Sequence, residues 1–156
     1  MSVDFYNYIR SGNLKKIKKL VEEKYINLNQ KDIQGRTPLM EAIIFRKIEI
    51  AKLFIEKGVN INEQDNNGWT ALHFSAQEFL VDITRLLIKK GAKVDLQDNN
   101  GNTPLGRSLF SSRGRGDIIK LLLEAGANTN IKNKSGVSPY DLAKKVTNYD
   151  LIQFFK

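Results

Sequence analysis
The chain has 156 residues, 41% of them hydrophobic, enough for one domain with a continuous core. It contains no cysteine, which excludes a disulfide framework, a thiolate metal site and a cysteine nucleophile. Lys and Arg number 25 against 17 Asp and Glu, and the resulting net charge of +8 disfavours a basic partner.

The first stretch, MSVDFYNYIRSGN, carries Asp4 and no long apolar run, unlike a signal peptide. No segment approaches the roughly 18 apolar residues that a membrane span needs. A cytoplasmic location is expected, with no membrane partner. Val3–Ser11 and Leu14–Lys24 read as a pair of helices. Ile17, Leu20 and Val21 fall on one side of the second, with Lys15, Lys16, Lys18 and Lys19 around them. Tyr25 stands where later copies of the pattern place glycine.

From Asp32 onward the chain repeats itself. Gly35, Gly68, Gly101 and Gly136 share one position at spacings of 33, 33 and 35 residues. Thr37, Thr70, Thr103 and Ser138 keep those spacings two residues later. Self-similarity at this period marks stacked repeats. Asp32, Asp65 and Asp98 each precede the glycine by 3 residues, and Asp-x-x-Gly suits a tight turn. Thr followed by Pro38 or Pro104 is a helix start: hydroxyl at the N-cap, proline at the first helical residue. Glu49 and Asp82 follow 12 residues after the threonines and open a second helix, which ends at Gly58 or Gly91. In the third copy the spacing from Thr103 to Asp117 is 14, and the extra residues fall in Ser111–Gly116, SSRGRG, which reads as a mobile loop. Helices are expected at Ser138–Val146 and Tyr149–Phe155 to close the array. The excess charge lies towards the ends, +4 in residues 1–31 and +3 in 132–156 against −1 in 32–101. This suits either soluble terminal faces or a platform for an acidic partner.

These residues resemble the ankyrin repeat. The family's Thr-Pro-Leu-His motif stands as TALHFSA at Thr70–Ala76 and TPLMEAI at Thr37–Ile43, and more weakly as TPLGRSL at Thr103–Leu109 and SPYDLAK at Ser138–Lys144. The second-helix signature stands as IIKLLLEAGANTN, Ile118–Asn130. The resemblance implies an all-α solenoid of stacked helix-turn-helix units: an N-terminal cap over 1–31, repeats over 32–64, 65–97 and 98–131, and a C-terminal cap over 132–156.

It also implies a binding module rather than an enzyme. His73 holds the position where the family uses histidine to bond the backbone and the threonine hydroxyl, and no nucleophile and orienting acid accompany it. The three turn aspartates, repeated about 10 Å apart by helix stacking, are too far apart to share a metal ion. Neither cofactor nor metal is implied.

By position, the family's contact surface maps onto the turn tips and the ends of the first helices. The candidate partner-binding residues are Arg36, Phe45, Arg46, Trp69, Gln77, Glu78, Phe79, Asn102, Phe110, Arg113 and Arg115. Aromatic side chains and arginine are the usual anchors of an interface. The same residues also have plainer readings: Trp69 against the next turn, Phe45 and Phe79 over the seam between repeats, the loop arginines as solubilising groups. The expected activity is protein binding by a monomer. The ending SGVSPYDLAKKVTNYDLIQFFK resembles small stand-alone bacterial ankyrin proteins, some of them similar to immunity proteins that neutralise a toxin. The alternatives are nucleotide or oligonucleotide binding through Trp69 and basic residues, which the un-interleaved Lys15–Lys19 cluster disfavours, and an effector acting in another cell.

Overall fold
A computed structural model describes residues 3–23, 26–146 and 149–155. Helices α1 (Val3–Ser11) and α2 (Leu14–Glu22) form the first pair, followed by α3 (Pro38–Ile44) with α4 (Ile48–Glu56) and α5 (Ala71–Gln77) with α6 (Val81–Lys89). Next come α7 (Pro104–Ser111) with α8 (Asp117–Glu124), then α9 (Pro139–Lys145) and a 3-10 helix, Leu151–Phe155. Among the described residues there is no strand. The first helices, α1, α3, α5, α7 and α9, stack as one layer, and α2, α4, α6 and α8 stack behind them.

Local chemistry sets each start. Thr37, Thr70, Thr103 and Ser138 sit in extended conformation at the N-caps, and each hydroxyl accepts the N–H three residues on. Each such cap is worth about 1 kcal/mol. Ahead of them, the Oδ1 of Asp65 accepts N–H bonds from Asn67 (2.9 Å) and Trp69 (2.8 Å), and Asp32 and Asp98 do the same in their turns. Asn133 takes this role in the last copy. The turn tips also bond to one another: Asn66 N–H donates to Gln34 O (3.0 Å), Asn99 N–H to Asn67 O (2.9 Å) and Lys134 N–H to Asn100 O (2.9 Å). Gly68 is needed here twice over. Its φ is 77°, and a Cβ would come within 2.8 Å of the Asn99 backbone nitrogen.

Burial runs unbroken from Phe5 and Ile9 in α1, through Leu39, Phe54, Leu72, Ile83, Leu105 and Leu122, to Leu151. No single hairpin encloses this cluster, so each pair depends on its neighbours for a core.

Two expectations are corrected. The closing element is a 3-10 helix of 5 residues, not a helix over Tyr149–Phe155. It is held by tertiary packing: Leu151 is buried and Phe155 lies 6.1 Å from Tyr140, ring to ring. In the loop after α7, the glycines that suggest mobility are close-packing sites. A Cβ on Gly114 would lie 2.8 Å from the Tyr149 ring, and one on Gly116 would overlap Phe154. Lys24 and Tyr25, read as the end of the first pair, lie outside the described residues.

Candidate functional site
Residues one position after His73 in successive copies, Glu41, Phe74 and Arg107, point from α3, α5 and α7 to the face that the turn tips share. Stacking of those helices brings them beside Arg36 and Trp69, which precede the N-cap threonines. The result is a continuous stack. The Arg36 guanidinium lies 5.9 Å from the Phe74 ring centroid, Phe74 lies 4.9 Å from Trp69, and Arg107 lies 4.5 Å from Trp69. These four side chains, with Asp65 and Gln77, line an open cavity of about 400 Å³. Cation–π contacts of this kind contribute about 0.5–2 kcal/mol each.

Carboxylates lie behind the arginines. Arg107 Nε donates to Asp98 Oδ2 at 2.7 Å. Arg10 Nε donates to Glu41 Oε2 at 3.0 Å, and that bond raises the Arg10 pKa. Arg36 stands between two acids, 3.6 Å from Glu41 Oε1 and 4.0 Å from Asp65 Oδ2, outside hydrogen-bond length of both. Accordingly Arg36 Nε, Glu41 Oε1 and Asp65 Oδ2 are buried without a hydrogen-bond partner.

A second cavity, about 590 Å³, adjoins the first turn and is lined by Tyr6, Arg10, Asp32, Ile33 and Gln34 among others. Ile33 at its rim is 90% exposed. The Tyr6 hydroxyl donates to Gln30 O at 3.2 Å. Burial, and then the charges of Asp32 and Glu41, push its pKa up to about 12.

His73 is fully buried and structural in its contacts. Its Nδ1 accepts the Thr70 N–H (3.1 Å), which fixes the neutral tautomer with Nε2–H donating to Asn102 O (3.1 Å). Burial pushes its pKa down to about 4. Asn102, a candidate contact residue, is thereby taken up by the fold: its carbonyl serves His73, its N–H bonds Asp98 and its Oδ1 accepts from Asn133.

The structure divides the other candidates between two places. Arg36, Trp69 and Gln77 meet at the cavity. Phe45, Arg46, Glu78, Phe79, Phe110, Arg113 and Arg115 lie at the opposite ends of the first helices, along the hairpin turns. There Arg46 reaches the next copy and donates to Glu78 O (2.8 Å), and the Arg115 guanidinium lies 3.9 Å from the Phe79 ring centroid. Phe110 is exposed at 60% and Phe45 at 42%, the latter under Arg10 at 5.4 Å. Arg46, Phe79 and Arg113 have φ of 54°, 57° and 48°, a left-handed conformation that glycine adopts without strain.

Sequence reasoning missed Phe74, Arg107, Asp65 and Arg10 as site residues. For Phe74 and Arg107 the available signal was register: they and Glu41 are spaced 33 apart and differ in every copy, whereas Leu39, Leu72 and Leu105, two residues before them, stay the same.

No curated protein matches the sequence significantly. A family model described as ankyrin repeats (3 copies) matches residues 5–98 and 55–133. The two matches span most of the chain and hold the pairs α3–α4, α5–α6 and α7–α8 with the caps at Thr37, Thr70 and Thr103; α9 and the 3-10 helix lie beyond them. With that geometry and that match together, the chain belongs to the ankyrin repeat family, whose repeats are protein–protein interaction modules.

Proposed function
We propose that this protein works by binding a protein partner without catalysis, through the face formed by the turn tips and first helices, and that binding itself inhibits the partner. The observation that carries the reading is the Arg36–Phe74–Trp69–Arg107 stack over its open cavity. Aromatic and arginine side chains already fixed by neighbours lose little entropy when a partner arrives, and they are the residue types on which binding energy concentrates. The inhibitory role, of the kind an immunity protein plays towards a toxin, is supported by the resemblance of the C-terminal stretch. The hairpin-turn edge, with Phe45, Phe110 and Arg113, extends the candidate surface.

The experiment is a pull-down from the native cell with tagged wild type, Trp69→Ala and Phe79→Ala, followed by assay of the captured protein with and without its captor. Loss of capture by Trp69→Ala, with the partner's activity restored on release, is the expected result. Equal capture by wild type and Trp69→Ala rejects this face, while Phe79→Ala reports on the hairpin-turn edge. A captured partner whose activity is the same bound and free rejects the inhibitory role.

A further inference from the structure
We infer that the partner of this face is an acidic protein segment, whose side-chain carboxylates seat on Arg36 and Arg107 across the Trp69–Phe74 pair. The inference rests on the protein-binding reading above and adds the chemistry of what is bound.

The ion pairs of the face share one orientation, with the acid inside and the guanidinium outside. Side-chain exposure is 45% for Arg10 against 1% for Glu41, 29% for Arg36 against 1% for Asp65, and 18% for Arg107 against 0% for Asp98. What the face presents is therefore a row of guanidinium groups, each steadied from behind. Arg107 uses Nε and Nη2 on Asp98, which leaves Nη1 as the edge turned away from that carboxylate. Arg36 turns its buried Nε towards Asp65, so the exposed part of its guanidinium lies away from that acid. Planar guanidinium edges of this kind match a carboxylate with two parallel hydrogen bonds. Trp69 and Phe74 between them offer apolar surface for the residues beside the partner's acid. At longer range, the net charge of +8 speeds the approach of an acidic protein.

Nucleic acid fits this row less well. Affinity for a phosphate backbone comes from uncompensated cations that release counterions. Here Arg10, Arg36 and Arg107 are offset by the buried Glu41, Asp65 and Asp98. Recognition must then come from close hydrogen-bond geometry rather than from the field.

The test is selection from a random peptide display library on the wild-type protein, with counter-selection on Trp69→Ala so that cavity-dependent peptides remain. These are expected to be enriched in Asp and Glu over the input library. Their synthetic forms are expected to bind at least about tenfold more weakly to the double variant Arg107→Gln/Asp98→Asn. That variant removes both charges and keeps the Oδ1 that accepts the Asn100 and Asn102 N–H groups. Its helical circular dichroism and melting are checked first. Should it not fold, Arg107→Lys keeps the ion pair, loses the fork and must weaken binding in the same direction. Cavity-dependent peptides that are neutral or basic, or acidic ones indifferent to the Arg107 variants, overturn this inference and leave the protein-binding face intact. A failure to recover any Trp69-dependent peptide overturns the face itself. A thymidine oligonucleotide that binds more tightly than the peptides, and needs Trp69, overturns the inference in favour of nucleic acid.

Discussion

Arg107 covers Trp69, its guanidinium 4.5 Å from the ring centroid, and is itself held by Asp98 from the preceding turn. Two consecutive repeats thus meet at the one tryptophan in the chain. Removing Arg107 strips the ring of its cover and leaves the buried Asp98 carboxylate uncompensated. Arg107→Ala is expected to destabilise the fold by about 3 kcal/mol and to red-shift tryptophan emission. Adding Asp98→Asn is expected to recover most of the stability but not the emission. Urea titration followed by fluorescence measures both. Equal stability of the single and double variants contradicts the role given to the pair.

His73 makes the fold sensitive to acid. Its pKa is about 4 in the folded chain against an ordinary 6.5, so on acidification the unfolded chain takes the proton first. The stability it confers is complete above pH 6.5 and is lost as the pH falls towards 4, at up to about 1.4 kcal/mol per pH unit. Asp141, whose pKa is lowered by its hydrogen bonds to Ser138, adds to the loss at the acid end. Denaturant midpoints measured between neutrality and about pH 5 show the slope. His73→Gln is expected to be less stable at neutral pH and to flatten the curve over that range.

The left-handed hairpin residues give a prediction of the opposite sign to most substitutions. Arg113 has φ of 48°. Arg113→Gly relieves the strain while loosening the unfolded chain, and is expected to stabilise by about 0.5 kcal/mol. Arg46→Gly relieves the same strain but loses the bond to Glu78 O, so its gain is smaller or absent. Thermal melts of the two variants side by side decide it. If neither is stabilised and partner binding is also unchanged, the strain has no consequence.

Gly116 tests the closing segment. It is not left-handed, so Gly116→Ala acts through Phe154, whose ring occupies the space a Cβ needs. A loss of about 1–3 kcal/mol is expected, with part of it recovered in Gly116→Ala/Phe154→Ala. A melting curve unchanged by Gly116→Ala contradicts the packing of residues 149–155 onto this loop.

The repeat period, the capped helix starts and the turn glycines were all legible in the sequence, because each is a local requirement repeated at one spacing. Thr70, Pro104 and Asp65 act within a few residues of themselves. The site was less legible. Trp69 and Arg36 stood out by residue type, but Phe74 and Arg107 read as ordinary helix residues until α5 and α7 were stacked. Arg113 and Arg115 read as flexible-loop charges, yet Arg115 lies on Phe79 from another repeat. Gly114 and Gly116 read as loop formers for the same reason: their aromatic neighbours come from over 30 residues away. Contacts of that range are set by tertiary packing, which no local pattern records.

The most direct test of the central claim places a photo-crosslinking residue at Gln77, on the cavity rim, and separately at Lys89, exposed on the opposite layer in α6. Irradiated in the native cell, the Gln77 variant is expected to join covalently to one discrete, acidic protein, and the Lys89 variant is not. Crosslinking from Lys89 with none from Gln77 would contradict the account.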